Sequence, residues 1–271
     1  MIPAPYIKNI PKGYIMSILQ SLILGLLQGI TEFLPISSSG HLVLAEAAFN
    51  LKVESLKSFD VLLHVGSLIG IIVFFRKRIL EILLKDRKHI GYLIVGTIPA
   101  VIAGFTLEDT IDSVFRGVLP IGIAMMATGV FYLIAERFKL KDKNINAKNS
   151  FIIGLAQMCA LIPGISRSGS TLATGLLTGI ERTKAAEFSF LLGSIAITGA
   201  GILQVKDIGE LPAVSVSVVG ALVSAVTSYF VIGFLMKFYK NNTLKPFAYY
   251  LFLIGMIAIA LFIDIKYFTP F

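Results

Sequence analysis

One stretch of this sequence occurs twice, and each copy interrupts an apolar segment. The first copy reads GLLQGITEFLPISSSGHL over 25–42, and the second reads GLAQMCALIPGISRSGST over 154–171. Hydrophobic segments broken by Pro, Gly and Ser at corresponding positions of two halves are typical of membrane proteins whose half-sites meet inside the bilayer. The copies differ in their ionisable residues, because the first holds Glu32 and His41 and the second holds Arg167.

The composition indicates an integral membrane protein. Hydrophobic residues make up 56% of the chain and charged residues 15%, whereas soluble domains are about one quarter charged. Apolar segments long enough to cross a bilayer are predicted at 59–75, 90–107, 118–136, 186–203, 213–236 and 246–264. The net charge of +8 lies in a few loops, which indicates membrane topology rather than a nucleic-acid partner. The single cysteine, Cys159, excludes an internal disulfide and a cysteine metal cluster.

The predicted fold is an all-α integral membrane protein with six transmembrane helices and two re-entrant half-helix pairs. The pairs are assigned to 14–49 and 150–179, because broken backbone at membrane depth must be enclosed by protein or line a cavity. Basic loops after the first, third and fifth spans are expected in the cytoplasm, which puts both termini outside. Two inverted-topology repeats follow, over about 14–136 and about 150–264, within one membrane domain of residues 1–271.

The repeated stretch supplies groups that suit a phosphorylated substrate. Backbone N–H groups at the start of a half-helix attract anions. Ser38 and His41 are three residues apart, so the imidazole can approach the hydroxyl for nucleophilic or acid–base chemistry. Arg167 provides a planar fork for phosphate oxygens, and Glu32 can orient His41, activate water or hold a divalent cation. Further donors beside these residues are Ser39, Ser166, Ser168, Ser170 and Thr171.

Structural roles compete with these assignments. Ser and Gly clusters in membrane helices often serve close helix packing. Ionisable residues inside apolar segments are costly to bury, which favours functional roles for Glu32, His41 and Arg167. His64, early in a predicted span, is a further candidate, whereas His89 is expected in an interfacial loop. Gly193 is expected to serve as a packing contact.

The two motifs resemble those of a known family. QGITEFLPISSSGH resembles the glutamate-rich motif of the undecaprenyl-diphosphate phosphatases, the bacitracin-resistance family, and PGISRSGST resembles that family's PGxSRSxxT motif. The resemblance covers nearly the whole chain. It implies removal of the terminal phosphate from a C55 isoprenyl diphosphate, which recycles the cell-wall lipid carrier and confers bacitracin resistance. It also implies a multi-pass protein of the bacterial cytoplasmic (inner) membrane, with an active site that opens to the external side.

The resemblance also implies roles for individual residues. These residues are Gln28, Glu32, Ser38, His41, Ser166, Arg167 and Thr171. The favoured mechanism has Ser38, assisted by His41, attack the terminal phosphorus while Arg167 stabilises the charge, and attack by water or by His41 stays open. Because Gln28 is an amide where the motif also allows a carboxylate, a divalent cation (Mg²⁺ or Ca²⁺) would be held by Glu32 and the substrate's diphosphate.

Three other functions are alternatives. Inverted repeats with broken helices are the usual architecture of secondary transporters. An intramembrane serine protease is disfavoured, because the fixed cation Arg167 suits phosphate better than a peptide carbonyl. The other lipid-phosphatase superfamily needs a downstream histidine, and no histidine follows His89. The expected partners are the isoprenyl diphosphate lipid and the bilayer, without nucleic acid, and a homodimer is left open.

Overall fold

In a computed structural model of the chain, the described residues are 16–49, 51, 56–115, 117–138, 142–204 and 211–267. They form ten helices and no strand beyond one isolated bridge between Lys143 and Ile180. The helices are α1 Ile18–Thr31, α2 Ser38–Ala48, α3 Lys57–Leu84, α4 Arg87–Phe115, α5 Val118–Ala135, α6 Ala147–Cys159, α7 Arg167–Leu177, α8 Arg182–Gln204, α9 Val214–Asn241 and α10 Lys245–Tyr267.

Six helices of the described chain are long and apolar enough to cross a membrane, which confirms the number of predicted spans. They cover Ser58–Leu84, Arg87–Leu107, Val118–Ala135, Arg182–Ile202, Val214–Asn241 and Lys245–Ile263. The first span runs further than the predicted end at residue 75, because the basic residues that follow remain helical. Arg78 is held there by Glu81 one turn later and by Glu187 of α8.

The position of His89 corrects the sequence prediction. Only Lys85 and Asp86 separate α3 from α4, so His89 belongs to the first turn of α4 and not to a loop. It is 6% exposed, and its ring lies edge-on to Phe188 of α8. The short connection buries this histidine inside the helix bundle.

Both copies of the repeated stretch are interrupted helices, as predicted. Ser17 and Gln20 form a capping box at the start of α1, and Asn146 and Asn149 form one at the start of α6. The first break separates α1 from α2 and the second separates α6 from α7. Each half of the chain therefore has two short helices followed by three long ones.

The short helices pack across the two halves of the chain. α1 packs against α9, and α6 packs against α4. A Cβ atom on Gly25 would lie 2.5 Å from the Gly220 carbonyl oxygen, and one on Gly154 would lie 2.5 Å from that of Gly96. Only glycine permits such close backbone approach, so these repeated glycines are packing contacts. They hold the two breaks against the long helices of the opposite half.

Candidate functional site

Each break ends at the first residue of a short helix. Ser38 begins α2 and Arg167 begins α7, and the two residues correspond in the aligned copies of the repeated stretch. Ser166 caps α7 by accepting a hydrogen bond from the Gly169 N–H at 3.3 Å. Ser37 precedes α2 with a φ of 71°, a conformation that non-glycine residues rarely adopt. Both breaks thus present one candidate functional side chain at a helix N-terminus.

Ser38 and Arg167 contact the same carboxylate. Glu32 is the C-cap residue directly after α1, and its side chain is 3% exposed. Its Oε2 accepts hydrogen bonds from Ser38 Oγ at 2.7 Å and from Gln28 Nε2 at 3.0 Å. Its Oε1 pairs with Arg167 Nη2. We call these residues, together with His64, the Glu32 cluster. The partners offset the cost of burying a charged carboxylate.

His64 is the imidazole of this cluster. Its Nε2 lies 3.5 Å from Glu32 Oε2, and its side chain is 31% exposed. Its Nδ1 lies 2.8 Å from the carbonyl oxygen of Asp60, one turn earlier in α3. A carbonyl oxygen can only accept, so Nδ1 carries the hydrogen. Nε2 is therefore the ring nitrogen that faces the Glu32 carboxylate.

The expected contact between Ser38 and His41 is not formed. His41 Nδ1 donates to the Ser37 carbonyl oxygen at 2.8 Å, and Nε2 then accepts from Tyr250 Oη at 2.6 Å. The planes of the His41 and Tyr250 rings are nearly parallel, with an interplanar angle of 14°. Although Ser38 and His41 share a helical turn, Ser38 donates a hydrogen bond to Glu32 at the end of α1, and His41 bonds to Tyr250 of α10. Glu32 consequently orients Ser38 and not His41.

Two of the remaining predicted phosphate ligands, Ser168 and Thr171, lie in α7 and have partners of their own. Ser168 Oγ donates to the Leu34 carbonyl oxygen at 3.1 Å, which ties the two breaks together. Thr171 Oγ1 donates to the Arg167 carbonyl oxygen at 2.8 Å and lies 2.5 Å from Ser189 Oγ of α8. Ser39 is exposed at the start of α2. The structure thus gathers Gln28, Ser38 and Arg167 around Glu32, whereas Ser168 and Thr171 form hydrogen bonds to other groups.

Sequence reasoning missed the role of Gly193. A Cβ atom there would overlap the Arg167 guanidinium, so the bare backbone of α8 makes room for that group. Gly193 and His64 occupy equivalent positions in the aligned halves; His64 belongs to the cluster, and Gly193 lies against its Arg167. The sequence did indicate that Gly193 is equivalent to His64, because the residues just before them match: Phe59, Leu62 and Leu63 recur as Phe188, Leu191 and Leu192.

A buried chain of hydroxyl groups orients Gln28. Its Nε2 lies 3.5 Å from Ser67 Oγ of α3, which is 2.9 Å from Ser224 Oγ of α9. Ser224 donates in turn to the Leu63 carbonyl oxygen at 2.8 Å. All three side chains are fully buried. The amide is thereby held with its N–H groups toward Glu32.

The residues present do not fit a divalent cation held by protein ligands alone. Glu32 Oε1 is engaged by Arg167, and Oε2 is engaged by Ser38 and Gln28. The described part of the chain holds no group of three or more His, Cys, Asp or Glu side chains arranged for a metal ion. A cation at Glu32 would need most of its oxygen ligands from another molecule.

Comparison with known proteins places these features in a family. The sequence model of the bacitracin resistance protein BacA family matches residues 21–257, which include the whole Glu32 cluster. An undecaprenyl-diphosphatase of Methanosphaera stadtmanae is 41% identical over 261 residues, covering 86% of this chain and 94% of the relative. One from Thermodesulfovibrio yellowstonii is 40% identical over 241 residues, covering 87% and 93%. Undecaprenyl-diphosphatase 4 of Bacillus thuringiensis is 39% identical over 242 residues, covering 86% and 93%.

Proposed function

Because the chain belongs to the bacitracin resistance protein BacA family, we propose that it is an integral-membrane undecaprenyl-diphosphatase. It would hydrolyse undecaprenyl diphosphate to undecaprenyl phosphate and inorganic phosphate, which returns the carrier to cell-wall synthesis and confers bacitracin resistance. The observation that carries the proposal is the Glu32 cluster. It joins a serine hydroxyl, a carboxylate and a guanidinium within a broken apolar segment, where an isoprenyl lipid can reach them.

Arg167 is the proposed clamp for the diphosphate. Its guanidinium has a planar fork that matches two phosphate oxygens, and it stays charged at every physiological pH. In the substrate-free site it pairs with Glu32. An arriving diphosphate carries more charge than one carboxylate and competes for this cation. The backbone N–H groups at the starts of α2 and α7 add further anion-binding groups.

Ser38 is the proposed nucleophile, and Glu32 is the base that its geometry supports. The Ser38 hydroxyl already donates to Glu32 Oε2 at 2.7 Å, so the carboxylate can take the proton as Oγ attacks the terminal phosphorus. The bridging P–O bond breaks, and its electron pair leaves with the lipid monophosphate. Water then hydrolyses the phosphoserine and releases phosphate. Phosphoryl transfer depends mainly on positioning and charge stabilisation, which this cluster provides.

His41 keeps a proposed role at the mouth of the site rather than as the base for Ser38. Tyr250 fixes its ring, and its Nδ1 is committed to the Ser37 carbonyl oxygen. The hydrogen bond to Ser37 stabilises the strained residue immediately before the nucleophile. Loss of His41 would therefore disturb the position of Ser38.

For the membrane arrangement, we propose re-entrant half-helix pairs and inverted repeats, with the site open to the external side. The crosswise packing of α1 on α9 and of α6 on α4 supports this arrangement, since inverted halves exchange such contacts. Reporters inserted between α3 and α4 are then expected in the cytoplasm, and reporters at Gly117 outside. The reverse result would overturn the orientation.

A divalent cation, Mg²⁺ or Ca²⁺, is proposed to enter with the substrate rather than to reside in the protein. The diphosphate can supply the oxygen ligands that the Glu32 cluster lacks, and the cation would reduce repulsion between diphosphate and Glu32. The protein's own contribution is the placement of Glu32 beside the phosphate clamp.

The decisive experiment measures phosphate release from C55 or C15 isoprenyl diphosphate by the purified protein in detergent. Release of inorganic phosphate with formation of the lipid monophosphate is the expected result. The competing function is lipid transport without hydrolysis. Movement of intact diphosphate across liposomes, with no phosphate released, would favour the transporter and refute the phosphatase.

A further inference from the structure

Helix α8 meets the first turn of α7 at two positions that lie one turn apart. Ser189 Oγ donates a hydrogen bond to the Ser168 carbonyl oxygen at 3.0 Å. Gly193, four residues later, leaves the space that the Arg167 guanidinium fills. Residues four apart on a helix share a face, so Ser189 and Gly193 meet two consecutive residues of α7 from the same side.

The hydroxyl group of Ser189 is buried and belongs to a small network on that turn. Ser189 is 1% exposed, and its Oγ lies 2.5 Å from Thr171 Oγ1. Thr171 Oγ1 lies in turn 2.8 Å from the Arg167 carbonyl oxygen and 3.2 Å from that of Ser168. Each hydroxyl carries one hydrogen, and the acceptors that surround the pair are oxygen atoms of the protein. The network therefore holds the backbone from which the Arg167 side chain extends.

We propose that Ser189 is a positioning residue that acts through Arg167, an inference that rests on the proposed phosphatase function. The hydrogen bond from Ser189 to the Ser168 carbonyl oxygen fixes the register of α7 along α8. In that register the guanidinium fits beside Gly193 and pairs with Glu32. The same register places the planar fork of the guanidinium where it can bind the diphosphate.

The register of α7 matters because small displacements of a phosphate clamp are costly. Slippage of α7 by one residue along its axis would move the guanidinium by about 1.5 Å. Misplacement of a substrate-positioning group by about 1 Å can lower the rate about 10²-fold. Ser168 Oγ also donates to the Leu34 carbonyl oxygen at 3.1 Å. Ser168 is thus held through its side chain by the first break and through its carbonyl group by α8.

The sequence repeat gives an independent reason to assign a role to the Ser189 position. The offset that relates 25–42 to 154–171 maps Ser189 onto Asp60 and Gly193 onto His64, again four residues apart in a long helix. The Asp60 carboxyl group lies against Glu46 of α2. In both halves, therefore, the first of the two positions contacts the short helix that begins with a candidate site residue. The second position belongs to the Glu32 cluster in one half and adjoins it in the other.

The test replaces Ser189 by alanine, which removes one hydroxyl group and leaves the space at Gly193 unchanged. We expect kcat/KM for C15 isoprenyl diphosphate to fall about 10-fold at a temperature well below the melting temperature. In an Arg167→Lys background the same substitution should cause no further loss, because the fork that Ser189 positions is already gone. The control is Ser194→Ala, since Ser194 Oγ donates to the Leu191 carbonyl oxygen within α8 at 2.7 Å. This control should keep the wild-type kcat/KM.

A second measurement is independent of turnover. Ser189→Ala should lower the melting temperature in detergent, and it should lower it less in an Arg167→Ala background. This dependence is expected if Ser189 stabilises the ion pair between Arg167 and Glu32, because the effects of coupled residues are not additive.

Three results would overturn the inference while leaving the phosphatase function intact. The first is a Ser189→Ala variant with wild-type kcat/KM. The second is a loss of turnover that persists undiminished in the Arg167→Lys background. The third is a strictly additive change of melting temperature in the double variant with Arg167→Ala, since that result indicates packing alone. A wild-type protein that releases no phosphate would instead refute the proposed function, and the melting temperatures would then decide whether Ser189 holds Arg167 in place.

Discussion

Replacing Gly193 by alanine tests the most specific contact in the site. The new methyl group would occupy the space of the Arg167 guanidinium, so the cation must move away from its place beside Glu32. The substitution does not touch Glu32, Ser38 or the backbone of either break. Any effect must therefore pass through Arg167.

The size of the effect follows from two opposing terms. Alanine in a helix interior gains about 1 kcal/mol over glycine. Breaking a buried ion pair costs about 3–5 kcal/mol, and the lower end applies because the Arg167 side chain keeps 20% of its surface exposed. The expected net loss of stability is therefore about 2 kcal/mol. Loss of one positioned donor to the developing charge should lower kcat by about 10²–10³-fold.

The assay combines turnover with the melting temperature in detergent. The control is Gly199→Ala in the same helix, because a Cβ atom there meets no atom within 4 Å. It should melt at or above the wild-type temperature and keep full turnover. In an Arg167→Ala background, Gly193→Ala should no longer destabilise, as expected for coupled residues. If Gly193→Ala behaves like Gly199→Ala in both measurements, Gly193 does not position Arg167.

Three further outcomes are expected. Arg167→Lys should lower phosphate release by about 10²-fold although the charge is kept, because an ammonium cannot form two parallel hydrogen bonds to phosphate. Near-wild-type turnover would show that Arg167 acts only through its charge, without bidentate contact. Ser38→Ala should lower turnover by about 10³-fold or more with little change in melting temperature. His41→Ala should lower both turnover and melting temperature, because the strained Ser37 loses the hydrogen bond to its carbonyl oxygen. Retention of more than about a tenth of the activity by Ser38→Ala would exclude the phosphoserine and favour attack by water or by His41. Exhaustive chelation should stop turnover, and added Mg²⁺ should restore it. When Mn²⁺ is added in place of Mg²⁺ to substrate-free protein, electron paramagnetic resonance should show no bound ion. Full turnover after chelation would contradict a cation that accompanies the diphosphate.

Local sequence patterns predicted much of the architecture. Apolar length alone identified all six spans, because a membrane helix must satisfy its backbone internally over a fixed thickness. Pro, Gly and Ser located both breaks, since these residues end helices and begin new ones. The span ends were less accurate, as α3 shows, because charged residues such as Arg78 continue a helix wherever a partner like Glu187 lies nearby.

The residues that gather around Glu32 in the candidate site were largely among those predicted, whereas their contacts were not. Glu32 and Arg167 were identified because ionisable groups are rare and costly inside apolar segments. Ser38 was identified because it lies in the repeated stretch. Spacing suggested that Ser38 would meet His41. Residues three apart share a helix face, but each side chain here found its partner on another helix.

Only the tertiary structure decided which groups surround Glu32. Arg167 comes from the second half of the chain, His64 from α3, and the space at Gly193 from α8. These contacts depend on how closely the helices approach, which glycine pairs such as Gly25 with Gly220 determine. The sequence shows which residues carry charge inside apolar segments and which are small enough to permit close helix packing. The distance between helices, a property of the whole packed bundle, decides which of them meet.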